Sequence, residues 1–179
     1  MTSFLTDSII IANPAISDLP KFSHIAGRLI YIVEHSSAGA VGVGLNQNYS
    51  APFADIASKV PELVSLNSEK LLVEKVFSGG PVAGDTPWTL GRNIKKYDKQ
   101  IANSCLALNF SEHAFAENEL SLLAICGLGS YGWGAGKLES ELAHSLWHYF
   151  PASEECLNSI PFIEAYKSAI QMLTDMKFR

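Results

Sequence analysis

Residues 120–136 of this 179-residue chain carry the pattern with the most explicit chemistry: an apolar run ends at Cys126, and glycines follow at 127, 129, 132, 134 and 136. Gly127, Gly129 and Gly132 spell G-x-G-x-x-G ahead of a helical pattern that opens at Leu138. In that arrangement glycines let a pyrophosphate approach backbone N–H groups at a helix start. Three features argue against a dinucleotide. A second parallel strand ending in an acid should stand about 20 residues on, but that window, Phe150 to Ile160, opens on Pro151 and runs into Pro161, with Glu154 and Glu155 in a turn. Gly134 and Gly136 fall where helix should already run, at about 1 kcal/mol each. Too little chain remains for two nucleotide-binding halves. A glycine-rich turn packing Tyr131 and Trp133 over a sheet edge is the expectation, with no cofactor.

Other spacings are weaker. His144-x-x-x-His148, with Glu141 one turn earlier, would put three metal ligands on one helical face. The Glu that makes a zinc-protease motif catalytic is missing after the first His, so a solvated helix end is expected and no metal. Glu34 and His35 close a strand and suggest an acid–base pair, yet neighbours along a regular strand point to opposite faces. Regular alternation puts His35 with Leu29, Tyr31 and Val33, and Glu34 with Ile30 and Ile32. Ser78-Gly79-Gly80-Pro81 could offer backbone N–H groups to an anion, but a tight turn explains it as well, and it is no nucleophile elbow. Cys105 and Cys126 sit in apolar runs and Cys156 lies beside Glu154 and Glu155; widely spaced and odd in number, they point to reduced thiols.

The elements that must carry these groups follow from hydrophobic patterning. Residues 8–12, 27–35, 40–45, 71–77 and 120–126 read as strands, with 86–90 and 101–108 extended and 36–39 a hairpin turn. Helical patterns cover 50–60, capped by Ser50, then 111–119, 138–149 and 162–173. Leu138, Leu142 and Leu146, at i+4 spacing, define the third of these. Clustered strands with irregularly inserted helices favour an α+β fold over βαβ alternation.

Composition narrows the function classes. With 47% apolar residues, the chain can bury roughly 70% of its unfolded surface in one domain. A net charge of −5 opposes a protein built to neutralise nucleic-acid phosphates. Arg92, Lys95, Lys96 and Lys99 form a solvated connection rather than a basic patch. The N-terminus has no basic n-region, and no apolar run approaches the roughly 18 residues of a membrane span.

Taken in order, a set of residues resembles the YqgE/AlgH family of bacterial proteins over nearly the whole chain. It runs Ala12-x-Pro14, Asp18, Phe22, Tyr31-Ile32-x-Glu34-His35, Gly39-Ala40-x-Gly42 and Asn46. It continues with Gly79-Gly80-Pro81-Val82, Gly129, Trp133, Gly136-x-Leu138-Glu139-x-Glu141 and Trp147. The chain departs from the family in having Gln47-Asn48 where a proline is usual, Ser130 after Gly129 in place of Tyr, and Lys137 in place of Gln. Val33 stands where some members carry Cys, and G-x-G-x-x-G is not a family feature. The resemblance implies a single α+β domain over 1–179, with coiled, branching, mostly antiparallel sheet and several packed helices. It also implies a cytoplasmic protein with no established activity or cofactor; one branch is named as a transcriptional regulator of alginate synthesis.

Two functions follow as expectations. The first is a non-enzymatic binding or indirectly regulatory domain, its partner a protein or small molecule rather than nucleic acid. Its surface would be built from Glu34, His35, Asn46, Gly79, Gly80, Pro81, Trp133, Gly136, Glu139 and Glu141, family-matching residues at strand ends and loops. The alternative is a hydrolase or transferase using Glu34, His35 or Glu139 as acid and base, which needs two of them within reach across a cleft.

Overall fold

The structure, a computed structural model, describes residues 4–47, 76–92, 98–100, 106–110, 123–152, 167, 170, 171 and 173–175. In chain order its elements are β1 (Ser8–Ala12), β2 (Leu29–Ser36), β3 (Gly39–Gly44), β4 (Val76–Ser78), β5 (Val82–Arg92), β6 (Lys99–Gln100), β7 (Leu106–Phe110), β8 (Leu123–Gly134), α1 (Lys137–Ala143) and β9 (Trp147–Pro151). The chain divides into two compact units, Met1–Gln47 with Tyr131–Arg179, and Asn48–Ser130.

In the first unit the order is β8–β3–β2–β1–β9, every pair antiparallel and β8 contributing residues 131–134. β1 is buried along its whole length, as its run Ile9 to Ile11 requires on both faces. Asn13 ends β1: its side chain caps the following turn at the Ala15 N–H and donates to the Ser145 carbonyl. In the second unit β8 lies between β5, antiparallel, and the short parallel β4, while β5 continues through β7 to β6. Trp88 on β5 is its largest fully buried side chain and donates its indole N–H to the Gly129 carbonyl at 3.0 Å.

Three expectations change. Helices are few among the described residues, and the pairing is mostly antiparallel strand, so "several packed helices" overstates the helical part. The helical patterns at 50–60 and 111–119 lie outside the described residues; within 162–173, residues 167, 170, 171 and 173 are helical. The helix expected over 138–149 stops at Ala143, and Ser145 takes a left-handed φ of 57°. Beyond it Trp147, Tyr149 and Phe150 form β9 against β1, as an aromatic run prefers. Leu138, Leu142 and Leu146 still meet one core cluster, so their spacing reported burial and not helix length.

The glycine segment is likewise strand as far as Gly134, with its turn confined to residues 135 and 136. β8 runs through Gly127, Gly129 and Gly132 to Gly134, and the first two of these positions accept close neighbours. A Cβ on Gly127 would strike the Trp88 ring, and one on Gly129 the Gly80 carbonyl. No helix among the described residues is long and apolar enough to cross a membrane.

Candidate functional site

His35 owes its position to one extra residue. The β2–β3 register pairs Ile32 with Gly42, then Glu34 with Val41 and His35 with Ala40, leaving Val33 as a bulge. Gly42 and Ala40 are two apart and share a face, so their partners Ile32 and His35 share it too. Regular alternation put His35 with Tyr31 and Glu34 with Ile32; the bulge reverses both. His35 thereby lands on the face where Ile30, Ile32, Ala40, Trp133 and Leu138 form the core cluster, and Glu34 turns to solvent.

The His35 side chain is 1% exposed, with every polar contact drawn from its own unit. The Leu5 N–H donates to Nδ1 at 3.0 Å, which places the proton of the neutral ring on Nε2. Nε2 lies 3.2 Å from Glu139 Oε1, near enough for attraction but too misaligned for a hydrogen bond. The Thr6 hydroxyl accepts from the His35 N–H and donates to its carbonyl, pinning the N-terminal segment to β2. Phe4 covers the ring edge-on, centroids 5.3 Å apart.

Glu139 and Glu141 both stand on α1, which Gly136 opens with a left-handed φ of 73°. Glu141 Oε2 accepts both indole N–H groups, from Trp133 at 2.9 Å and Trp147 at 2.8 Å. The two indoles meet edge to face at 6.4 Å, and Tyr131 stacks on Trp133. Burial raises the Tyr131 pKa, an effect that Arg28 opposes. Glu141 is therefore a bracket joining β8, α1 and β9, supported by Lys137 at 3.8 Å.

Beside this bracket an open hollow of about 230 Å³ is lined by Glu34, Ser36, residues 38–41 and Trp133. Of the sequence-derived candidates, Glu34 and Trp133 line it; His35 and Glu139 meet each other in the same unit. Asn46 is spent on the backbone, its Oδ1 accepting from the Leu29 N–H and its Nδ2 donating to the Gly27 carbonyl. Gly79, Gly80 and Pro81 belong to the second unit, where a Cβ on Gly79 would strike the Gly129 carbonyl and the Trp88 indole nitrogen. Close packing accounts for that glycine. Ser36, Ala38 and Val41 had no chemical signal beyond the hairpin that contains them. His144 turns Nδ1 to the Ser140 carbonyl and His148 stands on β9, so the two are not on one helical face. Among the described residues no three His, Cys, Asp or Glu cluster as metal ligands.

Known proteins of the same build extend over nearly the whole chain. Residues 9–176 match the family model described as AlgH-like. A UPF0301 protein of Dechloromonas aromatica is 34% identical over 94% of this chain and 90% of its own length. One from Bordetella avium is 34% identical over 83% of this chain and 76% of its own. The solution structure of the AlgH protein from Pseudomonas aeruginosa superposes with a TM-score of 0.72 and 26% identity, covering 97% of this chain and 90% of that one. A crystal structure from Corynebacterium diphtheriae, 18% identical, shares the fold at a TM-score of 0.60 over 83% of this chain and 76% of that one. By sequence and by fold, the chain belongs to the AlgH-like family.

Proposed function

We propose that this chain is a non-enzymatic binding or indirectly regulatory domain, working in the cytoplasm, whose ligand sits in the hollow at the turn end of the β2–β3 hairpin. One observation carries the reading: the groups with catalytic chemistry are already committed to the fold, whereas Glu34 faces solvent in the hollow. His35 is closed off between the Leu5 N–H and Glu139, and Glu141 holds two indoles. A single family model over 9–176 supports reading the chain as one functional domain. The net charge of −5 supports an indirect regulatory effect over contact with DNA. An NMR titration of the isotopically labelled full chain with a fragment set tests the site. Shifts clustered on residues 34–41 and Trp133 are expected; shifts scattered over the molecule, or none, would overturn it.

The 3.2 Å approach of His35 to Glu139 favours a second reading, a hydrolase or transferase using that pair. Here Glu139→Gln, with an unchanged fold, would abolish turnover of simple ester or phosphoester substrates by the native chain.

A further inference from the structure

We infer that residues 4 and 5 form a strap that protonation of His35 releases: acid lifts this N-terminal piece while the sheet beneath it stays folded. The strap concerns the buried face of β2 and stands apart from the hollow, so its test needs no ligand.

Hydrogen-bond direction fixes the charge of the ring. The Leu5 N–H donates to Nδ1 at 3.0 Å, and a backbone N–H can only donate. Nδ1 accepts it only while the ring carries a single proton. An imidazolium has N–H donors at both nitrogens, so charging His35 sets Nδ1–H against the Leu5 N–H where a hydrogen bond stood. The side chain is 1% exposed, so with the strap in place water does not reach these donors.

The charged ring is held while the strap is not. Nε2 stands 3.2 Å from Glu139 Oε1, and Glu139 Oε2 is buried with no hydrogen-bond partner among the described residues. A positive ring gains that carboxylate as its counter-ion, and turning over to spare Leu5 would forfeit it. The other ionisable groups on the elements around the ring point elsewhere. On α1, Glu141 holds the two indoles and Lys137 reaches Glu141. Glu34 lies on the other face of β2, and Asp7 accepts from the Tyr31 hydroxyl. β3 has no ionisable residue, and β8 brings the Trp133 ring and the Tyr131 phenol, which burial keeps neutral.

The segment can part at a defined point. Asp7 takes a left-handed φ of 60°; its N–H donates to the Ile32 carbonyl at 3.0 Å, and its carbonyl accepts from the Ala152 N–H at 2.8 Å. The Thr6 hydroxyl bonds the backbone N–H and carbonyl of His35, which protonation of the ring leaves unchanged. Thr6 and Asp7 are therefore the anchor. Beyond them Leu5 keeps its buried side chain and one bond from the Ser8 N–H, and Phe4, 52% exposed, lies edge-on over the ring. Lifting these two residues opens the His35 ring to solvent.

NMR of the full chain between about pH 8 and pH 5, the interval in which histidines change charge, tests the strap. Ring nitrogen shifts report the charge of His35, and amide order parameters report the segment. As the ring charges, the Leu5 order parameter is expected to fall from ~0.85 to below ~0.6, while Thr6, Asp7 and β1 stay near ~0.85. In His35→Asn, whose side-chain oxygen can accept from Leu5 and which does not titrate, Leu5 should stay ordered throughout. Glu139→Gln removes the counter-ion, so release should need more acid, and this variant decides the matter should His35→Asn fail to fold. A ring that stays neutral over the whole range, an ordered Leu5 beside a charged ring, or the same loosening in His35→Asn would overturn the strap. Loss of order at Thr6, Asp7 and β1 together with Leu5 would overturn it as well, since that is unfolding and not release.

Discussion

Glu139 and Glu141 stand two residues apart on one short helix and do different work. Glu139 offers one oxygen to a buried imidazole, whereas Glu141 satisfies two indole donors with a single oxygen. Truncating Glu141 leaves both N–H groups without an acceptor, each costing about 1–3 kcal/mol. Glu141→Ala is therefore expected to lower stability by about 2–4 kcal/mol in urea unfolding followed by tryptophan fluorescence. Glu141→Gln, which keeps an acceptor oxygen, should recover about half of that loss. The family resemblance drew attention to Trp133, Glu141 and Trp147, each a member of the ordered set that carries it. It could not show that they touch, since the two indoles come from different strands. Asn46 was conspicuous for the same reason, and its amide is consumed by the backbone at Gly27 and Leu29.

At the scale of elements, glycine and one inserted residue decide the outcome. Gly27 and Gly129 share a left-handed backbone, with φ of 68° and 75°, but only Gly129 also faces a neighbouring carbonyl. Gly27→Ala should cost about 1–2 kcal/mol, the strain of a left-handed residue alone. Gly129→Ala adds a backbone collision and should cost about 3 kcal/mol or more, or yield little folded protein. Parallel thermal melts of the two variants separate strain from crowding, and equal losses would refute the distinction. The strands were readable because their β-branched runs are dense, as in β1 and β2. The reach of β8 through four glycines was not, because glycine is read as a turn former whenever its neighbours in space are unknown. The same blindness made Leu146 look helical: it reaches the core from the turn that follows α1.

At the scale of the whole molecule, stability is tied to pH through Tyr31, which is buried at 1% exposure and donates to Asp7. Burial first, then the hydrogen bond and charge of Asp7, push its phenol well above the ordinary value of 10.0. In the unfolded chain Tyr31 loses its proton near pH 10 while the folded chain keeps it, so the unfolded state binds fewer protons above that pH. This contribution is full below about pH 10 and is lost as pH rises, at up to about 1.4 kcal/mol per pH unit. Urea midpoints between pH 9 and 11 should fall for the native chain and fall less steeply for Tyr31→Phe; identical slopes would remove the role. The sequence alone was enough for what depends on composition and local pattern: the β-rich core, the family, and the acidic charge of the chain. Tertiary structure decided which face each residue takes and what it meets there. A period-2 reading cannot see that Val33 is left unpaired, and that one residue buries His35 against Glu139 and turns Glu34 outward. Contacts between positions a hundred residues apart leave no trace in local spacing, so His35 and Glu139 become a pair only in the fold.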